Sequence, residues 1–173
     1  AIIRRAMGAS ASAQGVGLIF DPTVESVVGI LGALASGNFF CPISPRDPPA
    51  RVKIYLEDAE INVILTTRKA FPDRLQSELQ SEEVVFVDEL AENDVETVTP
   101  ATLNPHQLAV ILYTSGSTGI PKGVTHTHKT LMQMVRLKGN AMGISPSDRI
   151  AGLSTFTFGS YYWNVFATVV TGA

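Results

Sequence analysis

The sequence predicts an α/β fold: a layered, mostly parallel sheet with flanking helices. Three observations carry this expectation. Short apolar runs alternate along the chain with stretches of helical spacing. The runs are continuously apolar, as in strands buried on both faces, and parallel strands need crossover helices between them. Helix-start signals, an acidic cap followed by proline, stand directly behind two of the runs.

Taken in order, Val16 to Phe20 reads as a strand. Asp21 and Pro22 then offer a cap and a first helical residue. Val24, Val27, Val28, Leu31, Leu34 and Ala35 follow at helical spacing, and Gly37 can end that helix. Phe39 to Ile43 is a second strand. Asp47 and Pro48 repeat the start signal, with Val52, Tyr55, Leu56 and Ala59 as the apolar face of the next helix. Ile61 to Leu65 and Val84 to Val87 read as strands, with a short helix around Asp73 to Leu79 between them. Ala91 to Leu103 is polar and reads as a loop. Leu108 to Tyr113 is a strand that runs into a Gly/Ser/Thr loop. His128 to Lys138 reads as a helix ending near Gly139. Ser145 and Pro146 mark a turn, Arg149 to Leu153 a strand, and Trp163 to Val170 a helix.

Composition narrows the function classes. The 173 residues are 45% hydrophobic and 17% charged, enough to bury a core. The net charge of -3 and the absence of a basic cluster speak against a nucleic-acid partner. The acidic run from Asp88 to Glu96 reads as a solvated surface. The single cysteine, Cys41, stands among Phe39, Phe40 and Ile43 and reads as a buried small hydrophobe. With no internal disulfide possible, a reducing, cytoplasmic location is expected. The longest apolar run, Val27 to Ala35, falls well short of the ~20 residues of a membrane span. The chain opens at Ala1, inside an already patterned segment, and is expected to be part of a longer protein.

The chemistry concentrates in Thr114-Ser115-Gly116-Ser117-Thr118-Gly119-Ile120-Pro121-Lys122-Gly123. Three glycines let the backbone turn tightly, four hydroxyls add donors, and Lys122 adds a positive charge. Such a loop can surround polyphosphate oxygens. It also suits an ordinary surface turn. It is not a Walker loop, because Pro121 stands where that pattern needs its second glycine and Gly123 where it needs a hydroxyl. No G-x-G-x-x-G follows a strand, and no serine sits in G-x-S-x-G.

The run Y-T-S-G-S-T-G-I-P-K-G-V resembles the signature of the adenylate-forming (AMP-binding) superfamily. That superfamily includes acyl-CoA synthetases and nonribosomal peptide synthetase adenylation domains. The resemblance extends upstream, where Ala33 to Pro45 is similar to the family's L-K-A-G-G-A-Y-V-P-L-D-P. It implies that residues 1–173 are a partial adenylation domain, from the large N-terminal domain, without the C-terminal subdomain. It further implies ATP and Mg²⁺ as ligands, with Thr114, Ser115, Gly116, Ser117, Thr118, Gly119 and Lys122 on the β- and γ-phosphates. Phosphopantetheine on a carrier domain, or coenzyme A, would accept the acyl group. His128 falls where adenylation domains similarly carry a histidine. For His126 and His128 capping or packing is expected rather than metal binding.

Phe156 to Trp163 resembles the family's F-D-x-S-x-W segment, which lines the acid pocket, so Phe158, Gly159, Ser160 and Trp163 are expected there. Gly159 stands in place of the aspartate that pairs with the α-ammonium in amino-acid-activating members. A buried ammonium without a carboxylate is costly, so an aryl, keto, hydroxy or fatty acid is expected. The family's catalytic lysine and Mg²⁺-binding glutamate have no counterpart here, so no catalytic residue is expected within the chain, and little activity or ATP affinity alone. Val165, Phe166, Val169 and Val170 are expected to be exposed and to favour association. Two other classes remain: a non-catalytic interaction module of the same fold, and an unrelated NTPase with Asp88 as its metal ligand.

Overall fold

The apolar runs of the sequence become the strands of one sheet. The computed structural model describes residues 13–76, 79, 82–90, 100–116 and 119–173. The elements are β1 (Gly15–Ile19), α1 (Val24–Ala35), β2 (Phe39–Ile43), α2 (Pro49–Asp58), β3 (Ile61–Thr66), α3 (Asp73–Gln76), β4 (Glu83–Phe86), β5 (Leu108–Thr114), β6 (Lys122–Thr127), α4 (His128–Met142) and α5 (Gly159–Thr171). A 3₁₀ turn, Val87–Glu89, follows β4. The strand order is β4-β3-β1-β2-β5-β6. All neighbours are parallel except β5 and β6, which are antiparallel. Most of the predicted loop from Ala91 to Leu103 lies outside the described residues.

Alternate residues of each strand feed two cores, as the pleat requires. Val16, Leu18, Phe40, Val110 and Leu112 join Ile30 and Ala33 of α1, Leu131 and Val135 of α4, and Tyr162 and Phe166 of α5. Ile19, Cys41, Ile43, Ile64 and Ile111 face the other way, against Val52, Tyr55 and Leu56 of α2 and Leu75 of α3. The result is three layers, helix on sheet on helix. Cys41 is fully buried, and burial pushes its thiol well above the ordinary value.

Five expectations need correction. First, α1 begins at Val24, not at Pro22; Thr23 is its N-cap in a capping box with Ser26. Its core face is Ser26, Gly29, Ile30 and Ala33, whereas Val24 is 76% and Val28 57% exposed. The helix is apolar all round, so periodicity alone offers two faces. Small residues decide between them: a Cβ on Gly29 would stand 3.0 Å from the Phe20 ring, so only a bare backbone comes this close to the sheet.

Second, α4 runs through Gly139 to Met142. It ends at Gly143, whose φ of 61° is left-handed, with Ile144 N–H donating to the Gly139 carbonyl and Gly143 N–H to that of Asn140. Third, Arg149 to Leu153 forms no strand; it meets no partner strand, and Leu153 is 93% exposed. Fourth, β6 was not expected. Its sequence, KGVTHT, is polar on both faces because it forms the sheet edge. The helix expected from Trp163 in fact starts at Gly159, and it buries Phe166 while Val169 and Val170 remain about half exposed.

Candidate functional site

The Gly/Ser/Thr loop is the connection of an antiparallel hairpin. β5 and β6 pair Val110 with His126, Leu112 with Val124 and Thr114 with Lys122. Opposed residues in a ladder share a face. Lys122 and Thr114 therefore lie on the same side as Val110 and Leu112, which is the side α5 covers.

The loop between the strands turns tightly. Gly119 has a φ of 81°, and its N–H donates to the Gly116 carbonyl at 2.9 Å. A Cβ on Gly116 would lie 2.2 Å from the Ile120 carbonyl oxygen, so only glycine fits there. The Thr114 hydroxyl donates to the Lys122 carbonyl at 3.4 Å, tying the two ends of the loop. Lys122 is exposed, and no carboxylate pairs with it among the described residues. The structure thus places Thr114, Ser115, Gly116, Gly119 and Lys122 around one turn. Ser117 and Thr118 lie outside the described residues. At the root of the loop, the Tyr113 hydroxyl donates to Asp58 Oδ2 at 2.5 Å and its ring stacks on Tyr55 with centroids 4.4 Å apart. Burial, then the Asp58 bond, pushes the Tyr113 phenol well above its ordinary value. Burial pushes Tyr55 up to about 12.

The expected acid-pocket residues gather at the start of α5. Phe158 is the N-cap and is 66% exposed. A Cβ on Gly159 would meet Trp163 Nε1 at 3.3 Å and Leu112 Cδ1 at 3.5 Å. The indole therefore stands against the bare backbone of Gly159. The Ser160 hydroxyl is engaged, donating to Ser154 Oγ at 2.7 Å. The histidines part company. His126 meets Trp163 edge-on, with centroids 5.5 Å apart and planes at 86°. His128 opens α4; its Nε2 is buried without a hydrogen-bond partner among the described residues, and burial holds its pKa below the usual histidine value.

A cleft that sequence reasoning missed lies at the carboxyl ends of the central strands β1 and β2. Its volume is about 440 Å³, and its walls are Phe20 to Pro22 behind β1, Ser44 to Asp47 behind β2, and the segment Gly152 to Thr157. β1 sends its crossover helix to one face of the sheet and β2 to the other, the switch that opens crevices at the carboxyl ends of strands. Arg46 bridges to Asp21 at 3.2 Å beside it. Three distant segments build the cleft, so no local motif announces it.

Asp88 is elsewhere. It follows β4, at the opposite end of the sheet from β5 and β6, and its carboxylate accepts the Arg68 N–H at 3.1 and 3.2 Å. Arg68 also pairs with Glu89 and lies 3.7 Å over the Phe86 ring. Asp88 thus stands at the far end of the sheet, away from the loop.

A mostly parallel sheet with helices on both faces, carrying a Ser/Thr/Gly hairpin loop that ends at an exposed lysine, defines a three-layer α/β protein. The chain belongs to the AMP-binding enzyme family, whose model matches residues 2–173. Zwittermicin A synthase ZmaJ of Bacillus cereus is 32% identical over 161 residues, covering 91% of this chain and 30% of that protein. The nonribosomal peptide synthetase FmoA3, solved in an AMPPNP-bound form, superposes with a TM-score of 0.79 at 29% identity, covering 99% of this chain and 18% of that one. VinN superposes with a TM-score of 0.85 at 21% identity, covering 47% of its chain, and attests the fold. The chain spans less than half the length of each of these relatives. Among the described residues no helix is long and apolar enough to cross a membrane.

Proposed function

We propose that this chain is the phosphate-holding and acid-facing part of an ATP-dependent adenylate-forming domain. One observation carries the reading. The β5–β6 ladder puts Lys122 on the same sheet face as Leu112, and Leu112 and Trp163 both stand against Gly159. A cation for phosphate and a wall for a carboxylic acid thus share one surface.

In this reading Thr114, Ser115, Gly116, Ser117, Thr118, Gly119 and Lys122 hold the β- and γ-phosphates of ATP. A carboxylate oxygen attacks the α-phosphorus, a new P–O bond forms, and the bond to pyrophosphate breaks. Bringing two anions together is the physical obstacle, and Lys122 with the loop N–H groups offsets that charge. Bound Mg²⁺ would neutralise further phosphate charge. The acceptor is a thiol, either coenzyme A or phosphopantetheine on a carrier domain. Residues 1–173 would then form part of the larger N-terminal domain, with the C-terminal subdomain supplied elsewhere.

The acid side favours a substrate without an α-ammonium. Gly159 offers no carboxylate, and Trp163 Nε1 lies 3.3 Å from where its Cβ would be. An unpaired buried ammonium costs several kcal/mol per ion. ATP–pyrophosphate exchange with the intact synthetase tests both points. Aryl, keto, hydroxy or fatty acids should drive exchange, and Lys122→Ala should abolish most of it. Preference for α-amino acids would refute the substrate class. Exchange that survives Lys122→Ala unchanged would refute the phosphate site.

A further inference from the structure

We infer that His126 is a positioning residue: it holds the Trp163 indole across Gly159 and so sets how bulky an acid the site admits. The inference rests on the reading of Phe158 to Trp163 as the acid wall. It adds a residue on another element, which that reading does not use.

The geometry leaves the indole few choices. It stands against the Gly159 backbone, with Nε1 3.3 Å from where a Cβ would be. It also meets the His126 ring edge-on at 5.5 Å. Edge-to-face pairs of this kind favour one orientation over a free ring. Each contact comes from a rigid element: Gly159 from the first turn of α5, His126 from β6 opposite Val110. A strand residue locked by its ladder is a firmer stop than a loop residue. β6 begins at Lys122, so the residue that stops the indole and the residue assigned to phosphate are fixed by the same strand register.

Without the imidazole the indole can swing away from Gly159 towards β6. The vacated volume would then admit a larger acid, and a small acid would fit loosely. The phosphate side would be unaffected, since Lys122 keeps its pairing with Thr114.

Trp163 is the sole tryptophan of the 173 residues, so the emission reports the surroundings of this one indole. In the 173-residue chain, His126→Ala should move the emission to longer wavelength and increase acrylamide quenching, while the urea midpoint stays put. His126→Phe, which restores a flat ring, should restore both signals. Unchanged emission and quenching in His126→Ala, or a change that only tracks unfolding, would overturn the inference. In pyrophosphate exchange, His126→Ala should raise the acid KM about tenfold, leave the ATP KM unchanged and shift preference to a bulkier acid. Equal changes in both KM values would overturn it too. Failure of the phosphate reading is separate: it would show as exchange indifferent to Lys122→Ala.

Discussion

Replacing Ser26 with alanine should destabilise the chain more than its size suggests, because the hydroxyl serves two elements at once. Ser26 is fully buried. Its Oγ donates to the Thr23 carbonyl at 2.6 Å, accepts the Thr23 N–H at 3.3 Å, and lies 2.7 Å from the Tyr161 hydroxyl of α5. Tyr161 is itself 5% exposed, so Ser26→Ala leaves a phenol without its partner and removes half of the α1 capping box. An orphaned buried hydroxyl and a lost cap together should cost about 2–3 kcal/mol. For a chain of this size that is about 5–10 °C in Tm. Tyr161→Phe should cost only about 1 kcal/mol, since Ser26 keeps its bond to Thr23. The double variant should therefore be more stable than Ser26→Ala alone, because removing the phenol removes the orphan. Urea denaturation followed by far-UV circular dichroism gives all three values. Strictly additive losses, or a Ser26→Ala loss smaller than that of Tyr161→Phe, would refute the reasoning.

Gly116→Ala should lower kcat/KM for pyrophosphate exchange by about 100-fold, because the loop must open by nearly an ångström to clear the Ile120 carbonyl, with little change in Tm. Gly143→Ala meets open space and should cost only the left-handed strain, about 1–2 kcal/mol; Gly37→Ala adds a 3.0 Å approach to Ala101 to a φ of 88° and should cost more in the same denaturation assay. His128 makes stability depend on pH: burial lowers its folded pKa, so the unfolded chain binds the proton more readily and stability rises with pH. The contribution is present above the unfolded value of about 6.5 and is lost as pH falls through the lower folded one, a slope that His128→Gln should flatten in urea midpoints taken across that window.

What could be read in advance divides along physical lines. β2 was readable to the residue, because Phe39 to Ile43 is apolar throughout and Gly37 ends the helix before it. The faces of α1 were not, because hydrophobicity on all sides leaves the choice to the fit of Gly29 against Phe20. β6 was hidden because an exposed edge needs no apolar run; Val124, Thr125 and Thr127 were the available β-branched hint. The Gly/Ser/Thr loop between β5 and β6 was legible as a turn since its residues are contiguous in sequence. The cleft behind β1 and β2, and the contact of His126 with Trp163, join segments that only folding brings together.

The hairpin register has a consequence for how this site can change over generations. Lys122, Val124 and His126 alternate on one face of β6, so the interval between them carries information that the letters do not. Removing a single residue between Lys122 and His126 would keep both side chains yet send them to opposite sides of the sheet. A lineage can therefore trade Val124 for another strand-former with ease, while any odd-numbered insertion or deletion in this strand divides the site in two. Parity of length, more than identity, is what inheritance has to preserve here.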